Sequence, residues 1–208
     1  MGAIQSTIYS VRSRNDDGHV IRDRWGRFKG YITGLAPIGE TNNDPNTIKK
    51  VTIIGYGTTG KTTLCKFLKG VDHHGDYNPT KIAEAFFLND KKICLWDTSG
   101  DEQYSALIPI YTLGSDKLIM VFSPDQPNSL KTIDPERDYR IYSWQCEIII
   151  VYNEKRDKSY EKYFTLDDLK AKCETYMGGK YHYKIFEVSL LENINTESLI
   201  EEILYLEF

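Results

Sequence analysis

A chain of 208 residues, 40% hydrophobic and 27% charged, can close a real core, which excludes collagen-like and wholly disordered classes. Its net charge of −4 hides an asymmetry: residues 1–30 carry six basic side chains against three acidic ones, and the rest carries 20 basic against 27 acidic. No apolar run approaches the ~18 residues of a membrane-spanning helix. The four cysteines, at 65, 94, 146 and 173, have neither C-x-x-C nor metal-ligand spacing, and read as reduced thiols of a cytoplasmic protein.

The chain opens Met1-Gly2-Ala3-Ile4-Gln5-Ser6, which fits the myristoylation signal M-G-x-x-x-[ST]. One acyl chain binds a membrane only marginally, and a polybasic patch supplies the second signal that stable anchoring needs. Arg12, Arg14, Arg22, Arg24, Arg27 and Lys29 form such a patch, diluted by Asp16, Asp17 and Asp23. Residues 1–30 are therefore expected to meet an anionic membrane surface at the cytoplasmic face through an acylated Gly2; a solvated tail is the alternative. The chain ends Tyr205-Leu206-Glu207-Phe208, with no prenylation cysteine. Residues 30–46 hold three glycines, two prolines and three asparagines, which suit a linker. The extension is placed at 1–48, without a sustained period of its own.

From Lys49 the texture changes. Val51-Thr52-Ile53-Ile54 is a β-branched run ending in glycine and predicts a buried strand. Residues 61–69 place Leu64, Phe67 and Leu68 on one helix face. Strands over 83–88 and 92–96 flank Asn89-Asp90 as a hairpin, and the apolar runs 118–122 and 148–152 predict buried strands. Around Pro135 the pattern is poor, so the helix between those two runs is expected to be short or broken. Thr165, with Asp168 three residues on, marks a helix start resembling a capping box. Residues 184–188 predict a last strand, and Leu199, Ile200, Ile203 and Leu206 stripe a terminal helix. Short apolar strands alternating with amphipathic helices predict an α/β domain over 49–208, built on a mostly parallel sheet.

Gly55-Tyr56-Gly57-Thr58-Thr59-Gly60-Lys61-Thr62 fits G-x-x-x-x-G-K-[ST] in full, after a strand and opening a helix. Glycines let the backbone wrap so that its N–H groups point at phosphate oxygens, and the helix N-terminus adds a positive dipole end. The phosphate-binding set is Gly55 through Gly60, Lys61, Thr62 and Thr63, with Lys61 at the outer phosphates and the Thr62 hydroxyl on Mg²⁺. Asp97, ending the predicted 93–96 strand, is the natural acidic partner of that ion, where the carboxyl ends of a parallel sheet gather ligands. Gly100 lets a backbone N–H approach the terminal phosphate.

Three segments together, the phosphate loop, Tyr77-Asn78-Pro79-Thr80 and Asp97-Thr98-Ser99-Gly100, resemble the Ras superfamily of small GTPases. Residues 96–111, WDTSGDEQYSALIPIY, look most like its Rho branch. The resemblance covers about 49–208. It implies a P-loop NTPase fold with a six-stranded sheet flanked by helices, GTP or GDP bound with Mg²⁺, and two loops that order around the γ-phosphate. Thr80, 19 residues after Lys61, then meets Mg²⁺, giving Thr62, Thr80 and Asp97 as metal ligands. Residues 77–88 and 97–111 would meet effectors, exchange factors and GTPase-activating proteins. No nucleic acid is expected.

Four departures bear on activity. Asp101 stands where most members have the glutamine that orients the attacking water. The interval from Thr80 to Asp97 is compact, nearer to that of Arf-like proteins. The base-recognition motif Asn-Lys-x-Asp becomes Asn153-Glu154-Lys155-Arg156-Asp157, with one extra residue, and the Ser-Ala-Lys loop keeps only Ser189. Guanine selectivity through Asn153, Lys155 and Asp157 then requires the extra residue to bulge out, with Glu154 as a fallback carboxylate and a solvated charged loop as the alternative. An ionised aspartate only accepts hydrogen bonds, whereas a glutamine amide donates and accepts. Intrinsic hydrolysis, with Lys61, Thr80, Gly100 and Asp101 around the γ-phosphate, is therefore expected to be slow. Gln103 could replace the missing amide only by a re-routed loop. Three functions stay open: a GTP-dependent switch relaying signals at a membrane, a pseudo-GTPase interaction module without turnover, and an ATPase or kinase.

Overall fold

The computed structural model describes residues 48–71, 79–88, 92–133, 146–155, 160–179 and 181–205, together with the backbone of 19–22 and 28–32. Residues 1–18, which include the acylation signal, and Tyr77, Asn78, Arg156 and Asp157 lie outside this set.

Six strands form the central sheet: β3 (Lys49–Gly55), β4 (Ala83–Leu88), β5 (Ile93–Thr98), β6 (Lys117–Phe122), β7 (Glu147–Asn153) and β8 (Tyr183–Val188). Their spatial order is β4-β5-β3-β6-β7-β8. Only β4 runs antiparallel to its neighbour. The α/β fold with a mostly parallel six-stranded sheet flanked by helices is the one expected. The continuous apolar runs arise because the inner strands are covered on both faces.

Alternation along those strands divides the core. Ile53, Ile119, Val121, Ile149 and Val151 pack on one face against Leu64 and Cys65 of α1 (Lys61–Leu68) and Leu199 and Ile203 of α4 (Thr196–Leu204). Ile54, Leu118, Met120, Phe122, Ile148 and Ile150 face the other way, against Leu169, Cys173 and Met177 of α3 (Leu166–Met177). A smaller cluster joins Cys94 and Trp96 of β5 to Tyr111 of α2 (Ile108–Thr112). The α3 start is a full capping box: Thr165 accepts from the Asp168 N–H while Asp168 accepts from the Thr165 N–H.

Two sequence expectations change. Strand β5 runs through Thr98 rather than stopping at Trp96, because the antiparallel ladder continues with Glu84 opposite Asp97 and Ala83 opposite Thr98. Asp97 therefore sits inside a strand, where backbone pairing fixes its direction. Between β6 and β7 the described residues form a short 3-10 helix at Pro127–Ile133, and residues 134–145 lie outside the described set. The stretch read as aperiodic contains a strand pair, β1 (His19–Arg22) and β2 (Phe28–Ile32), antiparallel to each other. Four- and five-residue strands, one containing Gly30, are too short to show a period.

At the amino end of the sheet, the buried Lys117 ammonium donates to the carbonyls of Glu202 and Tyr205, closing the end of α4, and lies 3.2 Å from the Glu147 carboxylate. A cation at a helix C-terminus satisfies carbonyls that have no partner within the helix. Lys117→Met is expected to lower the unfolding free energy by about 2 kcal/mol, the scale of hydrogen bonds from a charged donor. A urea titration followed by far-ultraviolet circular dichroism reads it.

Candidate phosphate-binding site

The sheet order reverses beside β3, and there the loop from Gly55 to Gly60 leaves β3 and enters α1. Its path needs unusual backbone. Gly60 has φ +101°, and a Cβ there would lie 2.4 Å from the Asn153 amide nitrogen. Thr58 adopts φ +60°, a left-handed conformation costly for a β-branched residue. Strain of this kind persists only where the surrounding structure enforces it, and it concentrates at binding sites.

Asn153 enforces it from the far side. Its amide donates to the Thr59 carbonyl at 3.0 Å and its oxygen accepts from the Leu190 N–H at 3.1 Å. One buried side chain at the end of β7 thus ties the loop to the segment after β8. Asn153→Ala would strand two buried backbone groups. It is expected to cost roughly 3 kcal/mol of stability, seen as a lower urea midpoint with an unchanged slope.

The loop opens on a cavity of about 680 Å³, within the usual range for small-molecule sites. Gly57, Thr58, Gly60, Lys61, Thr62, Thr63, Thr80, Gly100, Asp101, Gln103, Asn153 and Lys155 all line it. Lys61 is nearly buried, its ammonium donating to the Tyr56 carbonyl at 2.7 Å. Burial lowers its pKa from 10.5 to about 8, against the opposing pull of Asp97 and Cys65. A desolvated ammonium in a cavity floor is poised to gain from an anion. Gly100 presses so close that a Cβ would lie 2.4 Å from the Lys61 ammonium and 2.5 Å from the Gly57 nitrogen.

Beside Lys61, three oxygen-bearing side chains converge. Asp97 Oδ2 accepts from the Thr62 hydroxyl at 2.7 Å and the Thr80 hydroxyl at 3.0 Å, and the two hydroxyls lie 3.0 Å apart. Its Oδ1 is buried without a hydrogen-bond partner among the described residues. Burial raises the Asp97 pKa, opposed by the Thr62 hydroxyl, the Lys61 ammonium and the Thr80 hydroxyl. An orphaned carboxylate oxygen beside two hydroxyls is a hard, all-oxygen donor set, and it fits Mg²⁺.

Other sequence candidates lie differently. Asp101 turns its carboxylate onto Gln103, accepting from the Gln103 N–H at 3.0 Å and its amide at 2.7 Å. Lys155 reaches the cavity, but its ammonium is paired with Asp125, whose other oxygen accepts from Ser123. Glu154 does not line the cavity, and its carboxylate is paired with Lys162. The fallback carboxylate is therefore engaged elsewhere. Ser189 keeps its backbone tied to Ile194, with a buried hydroxyl lacking a partner among the described residues. Tyr56 is not among the lining residues of this cavity, and its hydroxyl accepts from the Asn128 amide at 3.2 Å.

Sequence reasoning missed Leu191, which is exposed at the cavity wall, and Asp125. Leu191 stands where the family's lysine was expected, so the slot was legible though its role was not. Asp125 lies 30 residues from Lys155 in a segment without a motif.

The profile of the Ras family matches residues 50–206. Over 122 residues the chain is 32% identical to the Rho-related GTP-binding protein RhoB of Homo sapiens, covering 54% of this chain and 61% of that protein. It is 33% identical over 118 residues to the GTP-binding protein RHO4 of Saccharomyces cerevisiae, covering 53% and 40%. Against the Ras-related protein Rab-3 of Caenorhabditis elegans the identity is 24% over 181 residues, covering 84% and 80%. The matches thus span about three fifths or less of the Rho relatives' own length.

Proposed function

The chain belongs to the Ras family, close to its Rho branch, and on that premise we propose that it is a GTP-binding molecular switch with slow intrinsic hydrolysis. We assign the nucleotide-binding domain to 49–208 and the basic, acylated extension to 1–48. One observation carries the reading. The Thr62–Thr80–Asp97 cluster, with its orphaned carboxylate oxygen, stands beside the buried Lys61 ammonium at the mouth of a phosphate loop.

The roles follow from chemistry. Backbone N–H groups from Gly57 to Thr63 would cradle the α- and β-phosphates, and Lys61 would bridge to the γ-phosphate. Thr62, Thr80 and Asp97 would hold Mg²⁺, which when bound neutralises charge on the phosphate oxygens. Thr80 and Gly100 line the same cavity as Lys61, so in this reading loss of the γ-phosphate releases both loops; such ordering and release is how a switch is read by its partners. Asn153, Lys155 and Ser189 frame the base, and Asp157 supplies the carboxylate that accepts from guanine. Slow turnover follows from Asp101, an acceptor-only group where charge develops on the phosphoryl oxygens.

Effectors, exchange factors and GTPase-activating proteins engage 77–88 and 97–111 in this reading, and a partner's arginine could raise turnover by about 10³–10⁵. Gly2 acylation and the basic residues of 1–30 bring the switch to an anionic membrane. Among the described residues no helix is long and apolar enough to cross one.

Isothermal titration with GTP, GDP and ATP in Mg²⁺, followed by single-turnover hydrolysis, tests this. Tight, guanine-selective binding with slow cleavage supports it. Absence of affinity for any of the three ends it. Binding with no cleavage at all favours the pseudo-GTPase alternative.

A further inference from the structure

We propose that Gln103, held in place by Asp101, supplies the amide that directs the attacking water, so that the two residues together replace one missing glutamine; this rests on the GTP-switch reading above. Both side chains line the cavity that contains Lys61, Thr80 and Gly100. Asp101 grips Gln103 twice: one carboxylate oxygen accepts from the backbone N–H at 3.0 Å, the other from the side-chain amide at 2.7 Å. Asp101 is itself anchored, since its N–H donates to the Ser99 hydroxyl at 3.3 Å and its carbonyl accepts from the Tyr104 N–H at 3.0 Å. It also caps the 3-10 helix Glu102–Leu107.

This geometry places Gln103 on the wall of the cavity that holds Lys61 and Gly100. The carboxylate that would repel the γ-phosphate is occupied by two donors, and a charge-assisted bond holds the amide in one rotamer. One N–H of Gln103 is used. Its second N–H and its carbonyl oxygen have no hydrogen bond among the described residues. An amide with one donor and one acceptor left can accept from a water while donating to a phosphate oxygen. Asp101 is then a positioning residue, and Gln103 the candidate catalytic one.

The step balances without another reactant. The oxygen of a water that donates one hydrogen bond to the Gln103 carbonyl forms a bond to the γ-phosphorus. The bond from that phosphorus to the β,γ-bridging oxygen breaks, and its electron pair leaves with GDP. The proton lost by the water ends on the inorganic phosphate. Gln103 orients the water and takes no net proton.

Single-turnover hydrolysis of Mg²⁺·GTP by the full chain tests the pairing, with the affinity for a non-hydrolysable GTP analogue measured beside it. Gln103→Ala is expected to slow cleavage at least fivefold while the analogue affinity stays within twofold. Asp101→Ala should slow it too, and Asp101→Asn, whose carbonyl still accepts one bond, should recover part of the loss. The double variant Asp101→Ala/Gln103→Ala should be no slower than Gln103→Ala alone. Equal rates for wild type and Gln103→Ala, including both at zero, overturn the proposal. So does a full additive loss in the double variant. Absent affinity in the wild type would instead remove the switch reading itself, and this inference with it.

Discussion

Lys61→Met should reduce GTP affinity by about 100-fold or more while making the ligand-free protein more stable at neutral pH. Two facts set these opposite signs. Of the four lysines lining the described cavity, the others being Lys66, Lys81 and Lys155, Lys61 alone is buried. Charged hydrogen bonds to phosphate in such a place are worth about 1.5–3 kcal/mol each. Losing two of them accounts for the affinity. Without the anion, burial holds the lysine at about 8 rather than 10.5, which corresponds to about 3 kcal/mol against folding at most.

The sign with pH is definite. The folded pKa lies below the unfolded one, so the charged form is penalised in the fold. That penalty is fully present below pH 8 and fades as the pH rises from 8 toward 10.5. Methionine removes it and leaves the Tyr56 carbonyl without its donor, so part of the gain is lost. Urea titrations of ligand-free wild type and variant at pH 7 and pH 10 measure the effect. The variant's advantage should be larger at pH 7. An advantage that grows with pH would show that Lys61 is not a desolvated cation.

Asp101→Gln should raise the single-turnover rate by at least tenfold. At this place in the loop an aspartate is charged, one methylene shorter than glutamine, and turned away onto Gln103. A glutamine brings a neutral donor and acceptor directly to the position that follows Gly100. A single preorganised donor at developing negative charge is worth about 10²–10³ in rate. Part of that range is lost with the grip on Gln103. Alanine and asparagine at the same position lack the reach, so their rates should fall while glutamine's rises. Rapid quenching of GTP-loaded protein gives the three rates, and a glutamine variant no faster than wild type would show that Asp101 does not limit turnover.

Much of this was written locally. The phosphate loop was legible because eight consecutive residues impose a backbone path almost independent of the rest of the chain. The strands were legible because residues buried on both faces must be apolar, and the capping box because Thr165 and Asp168 are one turn apart. Asp97 was legible as an acid at a strand's carboxyl end, although its place inside β5 depended on the ladder with β4.

What tertiary structure alone decided concerns partners far apart in the chain. Asn153 reaches back to Thr59 across 94 positions, Lys117 closes α4 across 85, and Lys155 finds Asp125 across 30. Even Asp101 and Gln103, two residues apart, show in sequence only that they can meet; the turn and its cap determine that they do. Side-chain type and spacing specify local backbone and which face is buried. Which polar group a lysine or amide pairs with depends on the three-dimensional neighbours that packing brings within about 3 Å, and those come from the whole fold.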